Sequence, residues 1–182
     1  MTRSEASPTP PRSASATLIA GRVLCVGDDV NTDLIIPGPY CLQTDPAALG
    51  PHCLEGIRPG FVSGVQPGDV LVAGENFGGG SSREHAVLAL MGAGFAAVIA
   101  ASFARIFFRN AINLGLPAVT CPQAVAVARN GDVCRINLNQ GTVEMRGRTF
   151  QAQPFPPFIL EILQRGGLMS WVAARIEQRS ER

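Results

Sequence analysis

The sequence predicts an α/β fold: a mixed sheet with a parallel βαβ core and an antiparallel add-on. Between residues 69 and 121, short apolar runs alternate with stretches of helical period, in the order strand, helix, strand, helix, strand. That alternation is the signature of βαβ units. From 132 to 151, apolar and polar residues alternate around Asn-Gln-Gly and Arg-Gly turns, which is hairpin patterning. The 182 residues show no internal repeat and suffice for one domain, expected over 17–182.

Residues 1–16, "MTRSEASPTPPRSASA", hold almost no large apolar side chain and are expected to be disordered. "TLIAGRVLCVG" (17–27) reads as a strand, and "DDVNTDLIIPGPY" as a loop with a short apolar centre. "DPAALGPHCLEGI" is weakly helical and interrupted at Gly50-Pro51. A turn at Pro67-Gly68 leads into a buried strand over 69–73, then a helix over 81–93 and a strand over 95–101. "FARIFFRNAINLG" is a helix stopped by Gly115, with Ile106, Phe107, Ala111, Ile112 and Leu114 as its packing face. "LPAVTC" is a short strand, and the hairpins follow. The chain closes with a helix, a break at Gly166-Gly167 and a second short helix.

Composition excludes several function classes. The formal net charge of +1 gives no bulk attraction to nucleic acid or an anionic membrane, and no apolar run is long enough to span a bilayer. All 15 basic residues are Arg, so lysine chemistry is excluded. The five cysteines (Cys25, Cys41, Cys53, Cys121, Cys134) contain no C-x-x-C, and the only histidines are His52 and His85. A zinc or complete iron–sulfur site within this chain is therefore not expected, and reduced thiols point to a cytoplasmic protein.

The densest chemistry lies in "NFGGGSSREHA", Asn76 to Ala86. The dinucleotide fingerprint fails because Arg83 stands where its last Gly belongs, the P-loop fails for want of Lys, and the nucleophile elbow fails at Arg83 again. Ser81 and Glu84 have the form of a capping box. A cap alone explains neither the preceding glycines nor an Arg in the first helical turn, where a cation costs about 0.3–1 kcal/mol against the macrodipole. An arginine so placed is better understood facing an anion, since guanidinium clamps carboxylates bidentately. A serine between backbone N–H groups and that arginine is in positive surroundings that favour an alkoxide.

Three stretches in order, "VGDDVNTDLIIPGPY", "GENFGGGSSREHA" and "ASFARIFFRNAINLGLP", resemble the swivelling domain of the aconitase superfamily, in the form of the free-standing small subunits of 3-isopropylmalate dehydratase. The resemblance runs from about Gly21 to Ile176. It implies a three-layer β/β/α fold. It implies that Ser81 is the catalytic base, removing the proton next to the departing hydroxyl, and that Arg83 binds a substrate carboxylate. Ser82 contributes at the loop beside Gly80; Thr32 and Asp33 lie at the site's edge, Asp33 orienting an arginine or the base loop. Arg105 and Asn110 are expected to brace that loop, and His85 to be a hydrogen-bonded structural residue beside Glu84. Relatives often carry Cys where Gly79 stands. The resemblance places the [4Fe-4S] cluster on a separate large subunit, so this chain binds no cofactor itself and is inactive without that partner.

By the same resemblance, the loop after Ile-Ile-Pro meets the variable group of the substrate. Relatives carry an arginine there that can meet an extra carboxylate. "PYCLQTDP" aligns without gaps on Tyr40 and Asp45-Pro46 and puts Leu42 in its place. An apolar side chain leaves a third carboxylate unpartnered and favours an alkylmalate. The expected function is therefore the isomerisation of 2-isopropylmalate and 3-isopropylmalate by dehydration and rehydration. The alternatives are a related dehydratase for methylmalate, dimethylmalate or homoaconitate, and a non-catalytic dicarboxylate-binding domain.

Overall fold

The computed structural model describes residues 17–81 and 83–180; the disorder expected of residues 1–16 and the loop role of Ser82 lie outside them. Its frame is a seven-stranded sheet: β1 (Leu18–Cys25), β2 (Val70–Ala73), β3 (Ala97–Ala100), β4 (Ala118–Thr120), β5 (Val133–Asn137), β6 (Thr142–Met145) and β7 (Arg148–Gln151). The spatial order is β4-β3-β2-β1-β5-β6-β7. β1 to β4 pair in parallel, and β5 to β7 are antiparallel.

β1 belongs to both halves. Leu18 to Arg22 pair with β5, whereas Val23 to Cys25 pair with β2. Sharing one strand lengthwise lets the antiparallel half fold back over the parallel half. The core assignments follow from this. On one face of the parallel strands, Leu71, Ala73, Val98, Ala100 and Ala118 pack against the helices. On the other, Val70, Val72, Ala97, Ile99 and Val119 pack against Cys134, Ile136, Val143, Met145 and Phe150 of the hairpins. The layers are thus β/β/α. Every residue of β2 and β3 is buried, which is why these strands read as unbroken apolar runs. The segment leaving β7 also reaches the opposite edge, where the Gln153 N–H donates to the Thr120 carbonyl at 2.9 Å.

The helices are α1 (Thr32–Ile35), α2 (Pro46–Leu49), α3 (Glu84–Gly92), α4 (Arg105–Leu114), α5 (Pro122–Val125), α6 (Pro157–Gln164) and α7 (Leu168–Ser180). Several differ from expectation. α1 lies where the sequence reads as a loop; Asn31 starts it by accepting from the Leu34 N–H at 2.9 Å. α5 falls in an unassigned stretch, with Pro at its start. α7, expected to be short, runs for 13 residues. α4 ends as expected at Gly115, in the left-handed region (φ 82°). On its packing face Phe107, Ala111 and Ile112 are buried, but Ile106 turns out to solvent. No described helix is long and apolar enough to cross a membrane.

Candidate active site

Three loops leave the carboxyl ends of β1, β2 and β3, and they keep the order of the strands they leave. The Asp29 N–H donates to the Glu75 carbonyl (2.9 Å), the Gly78 N–H to Val30 (2.8 Å) and the Thr32 N–H to Gly79 (2.8 Å). On the other side, the Phe77 N–H donates to the Ser102 carbonyl (3.0 Å) and the Ala104 N–H to Phe77 (2.9 Å). The glycine-rich loop is therefore the middle ribbon of three, beyond the carboxyl ends of parallel strands. Open α/β sheets bind ligands in that position.

Two of the three glycines are demanded by geometry. Gly78 has φ 79°, and a Cβ there would stand 2.2 Å from the Phe107 ring. Gly80 has φ 100°, with Thr32 Oγ1 3.1 Å from the position of its missing Cβ. Gly79 has ordinary φ, and its nearest neighbour, Asn76 Nδ2, would be 3.4 Å away, so a side chain fits. Phe77 anchors the ribbon from below, fully buried and edge-on to both Phe103 and Phe107.

Beyond Gly80 the chain delivers Ser81, which is exposed. It does not cap a helix, contrary to the capping-box expectation. Gly79 and Ser81 still interact with the 31–32 segment, the Ser81 carbonyl lying 3.5 Å from Thr32 Oγ1. α3 consequently starts only at Glu84, with Arg83 in the N-cap position and no side-chain cap. The Arg83 guanidinium donates through Nη1 to Asp33 Oδ1. It therefore faces a carboxylate from α1, on an element 50 residues away in sequence. Thr32 beside it is 2% exposed.

The remaining expected residues divide. Glu84 is exposed at the start of α3. His85 is half-buried and makes no side-chain hydrogen bond among the described residues, so the expected structural bond is not seen. Arg105 is exposed and Asn110 half-buried, and neither bonds to the loop among the described residues. α4 braces the ribbon through Phe107 against Gly78 instead. Leu42 ends a 3-10 turn (Gly38–Leu42) and is 93% exposed. That turn is held by Tyr40, whose ring stacks on His52 at 3.8 Å.

Asp29 and Asn76 escaped the sequence reading. Both take the left-handed backbone (φ 53° and 54°), and Asn76 Nδ2 donates to Asp29 Oδ1 at 3.0 Å. The only signal was that Asp and Asn enter this region more readily than other residues. The cysteines lie apart: Cys25 in β1, Cys41 in the 3-10 turn, Cys53, Cys121 and Cys134 buried. Burial pushes the Cys53 thiol far up and that of Cys134 up to about 11. The thiols lie on separate elements, and the described residues hold no group of three or more His, Cys, Asp or Glu able to bind a metal.

Comparison with known proteins places the chain. Residues 64–124 match the family model for the aconitase C-terminal domain. The chain is 49% identical to the 3-isopropylmalate dehydratase small subunit of Moorella thermoacetica, over 88% of this chain and 98% of that protein. It is also 49% identical to 3-isopropylmalate dehydratase small subunit 1 of Methanopyrus kandleri, over 85% and 92%. Among solved structures, the 3-isopropylmalate dehydratase of Methanocaldococcus jannaschii superposes with a TM-score of 0.85 at 44% identity, covering 90% of this chain and 98% of that one.

Proposed function

This chain belongs to the family of 3-isopropylmalate dehydratase small subunits, and from that premise we propose that it is the base-bearing half of a two-subunit hydro-lyase interconverting 2-isopropylmalate and 3-isopropylmalate. The observation that carries the reading is the pairing of Arg83 with Asp33 beside an exposed Ser81. This loop is built so that no side chain fits at 78 and positive φ is needed at 80.

Each residue has a part in that reaction. Arg83, held by Asp33, clamps a substrate carboxylate through the rest of its guanidinium fork. Ser81 Oγ, as alkoxide, takes the proton from the carbon next to the one bearing the hydroxyl. The C–H electron pair becomes the new double bond and the hydroxyl leaves the neighbouring carbon, giving an alkene diacid. Adding water back with the positions exchanged gives the isomer, and Ser81 returns its proton to carbon. Thr32 packs beneath Gly80 and keeps the loop at its height. To Ser82 we assign a part in substrate binding. Leu42 offers an apolar surface to the alkyl group.

Ser81 is exposed in the isolated chain, so the loop forms one wall of a site. We assign the other wall to the large subunit, together with a [4Fe-4S] cluster that supplies a Lewis acid for the departing hydroxyl. The five unpaired thiols suit a reducing cytoplasm. The test is to co-purify this chain with the cluster-bearing large subunit and follow alkene absorbance. Ser81→Ala is expected to lower kcat about 10²- to 10⁴-fold with KM little changed; normal turnover would overturn the base assignment.

A further inference from the structure

We propose that Asp29 and Asn76 form a positioning latch that sets the height of the Gly78–Ser81 loop; the proposal deepens, and rests on, the reading of Ser81 as base. Four observations converge. First, both residues hold φ near 50°, at 53° and 54°, a backbone region that Asp and Asn enter more readily than other side chains. Turn chemistry accounts for either residue alone. It does not account for two of them meeting, with Asn76 Nδ2 donating to Asp29 Oδ1 at 3.0 Å across 47 residues of sequence.

Second, the pair sits at the start of the ribbon. Next to it the Asp29 N–H bonds to Glu75, and beyond it Gly78 bonds to Val30 and Thr32 to Gly79. Closing the pair therefore sets the register of every bond leading to Ser81. Third, Asn76 links the third loop as well, since its own N–H donates to Ser102 Oγ at 2.8 Å. Fourth, its side-chain amide lies directly under Gly79, 3.4 Å from the position a Cβ would take. Asp29 and Asn76 are both exposed, so the hydrophobic core does not depend on them. Their effect falls on where the loop sits.

The test uses the two-subunit complex and a double-mutant cycle. Asn76→Gly keeps the left-handed backbone and deletes the bond. Asn76→Asp sets two carboxylates against each other. The double exchange Asp29→Asn with Asn76→Asp rebuilds the bond with donor and acceptor reversed. Both single changes are expected to lower kcat about 10- to 100-fold with KM and melting temperature nearly constant. They should also speed amide hydrogen exchange at Gly78 and Thr32, and the double exchange should restore both readouts. Unchanged kcat and exchange in Asn76→Gly would overturn the latch, as would a double exchange no better than Asn76→Asp. The two readings fail separately: an active Ser81→Ala removes the base assignment, while exchange at Gly78 and Thr32 still decides the latch.

Discussion

At the residue scale, the three consecutive glycines do different work, and the sequence could not say which. The run was legible as a loop that approaches something closely. What it approaches at Gly78 is its own core, because Phe107 fills the space a side chain would need. That contact comes from α4, and nothing in "GGGSS" reports it. Gly78→Ala combines an unfavourable φ, about 1–2 kcal/mol, with overpacking of about 1–3 kcal/mol. It is expected to lower the urea midpoint clearly and abolish turnover. Gly79→Ala has ordinary φ and room, and should leave stability within about 0.5 kcal/mol of the parent. Equal denaturation midpoints for the two variants would contradict the assigned packing. Ser81 shows the opposite limit of the sequence reading. As a capping box it was plausible from spacing alone, but pairing with the 31–32 segment delays the helix to Glu84. Long-range hydrogen bonds override a local signal whenever they use the same backbone.

At the scale of elements, the strands were legible and two of the shortest helices were not. β2 and β3 are buried on both faces and announce themselves as apolar runs. α1 and α5 have four residues each, too few to display a 3.6-residue period. The missed α1 matters, because it carries Asp33 to Arg83. The 3-10 turn at Gly38–Leu42 is similar: Tyr40 is pinned by its stack on His52, and Leu42 is left almost wholly in solvent. An exposed leucine contributes little to folding, so Leu42→Arg should not change the melting temperature. If the turn faces the alkyl group, the substitution should weaken turnover of alkylmalates by about 10-fold or more, read as kcat/KM on a panel of substituted malates. An unchanged panel would show that the turn lies away from substrate.

At the scale of the whole molecule, the fold-back of the sheet about β1 creates a second core between the two β layers, and that core contains thiols. Cys134 is fully buried there with its pKa pushed from 9.0 up to about 11 by burial. Cys53 in the helix-side core is raised further, for the same reason. Tyr40 is raised as well, first by burial and then by its hydrogen bond to Glu55. The chain has no Lys, so the groups whose deprotonation is held back at alkaline pH are the raised thiols and one tyrosine, over about pH 8.5 to 11. The sign follows from linkage. In the unfolded chain a thiol loses its proton near its ordinary value, while the folded protein keeps it to higher pH. Over that window the unfolded state binds fewer protons, so stability must fall as pH rises. Below about pH 8 the contribution is complete. Through the window Cys134 alone contributes a loss on the order of 2 kcal/mol. Urea midpoints measured from pH 7.5 to 10.5 are expected to decline steadily. Cys134→Ala should start lower at pH 7.5, because it leaves a small void, and then decline less steeply. A parent protein with a flat profile across this range would mean that the second core does not exclude water from its thiol, and that the hairpin layer packs more loosely on the parallel strands than the buried contacts imply.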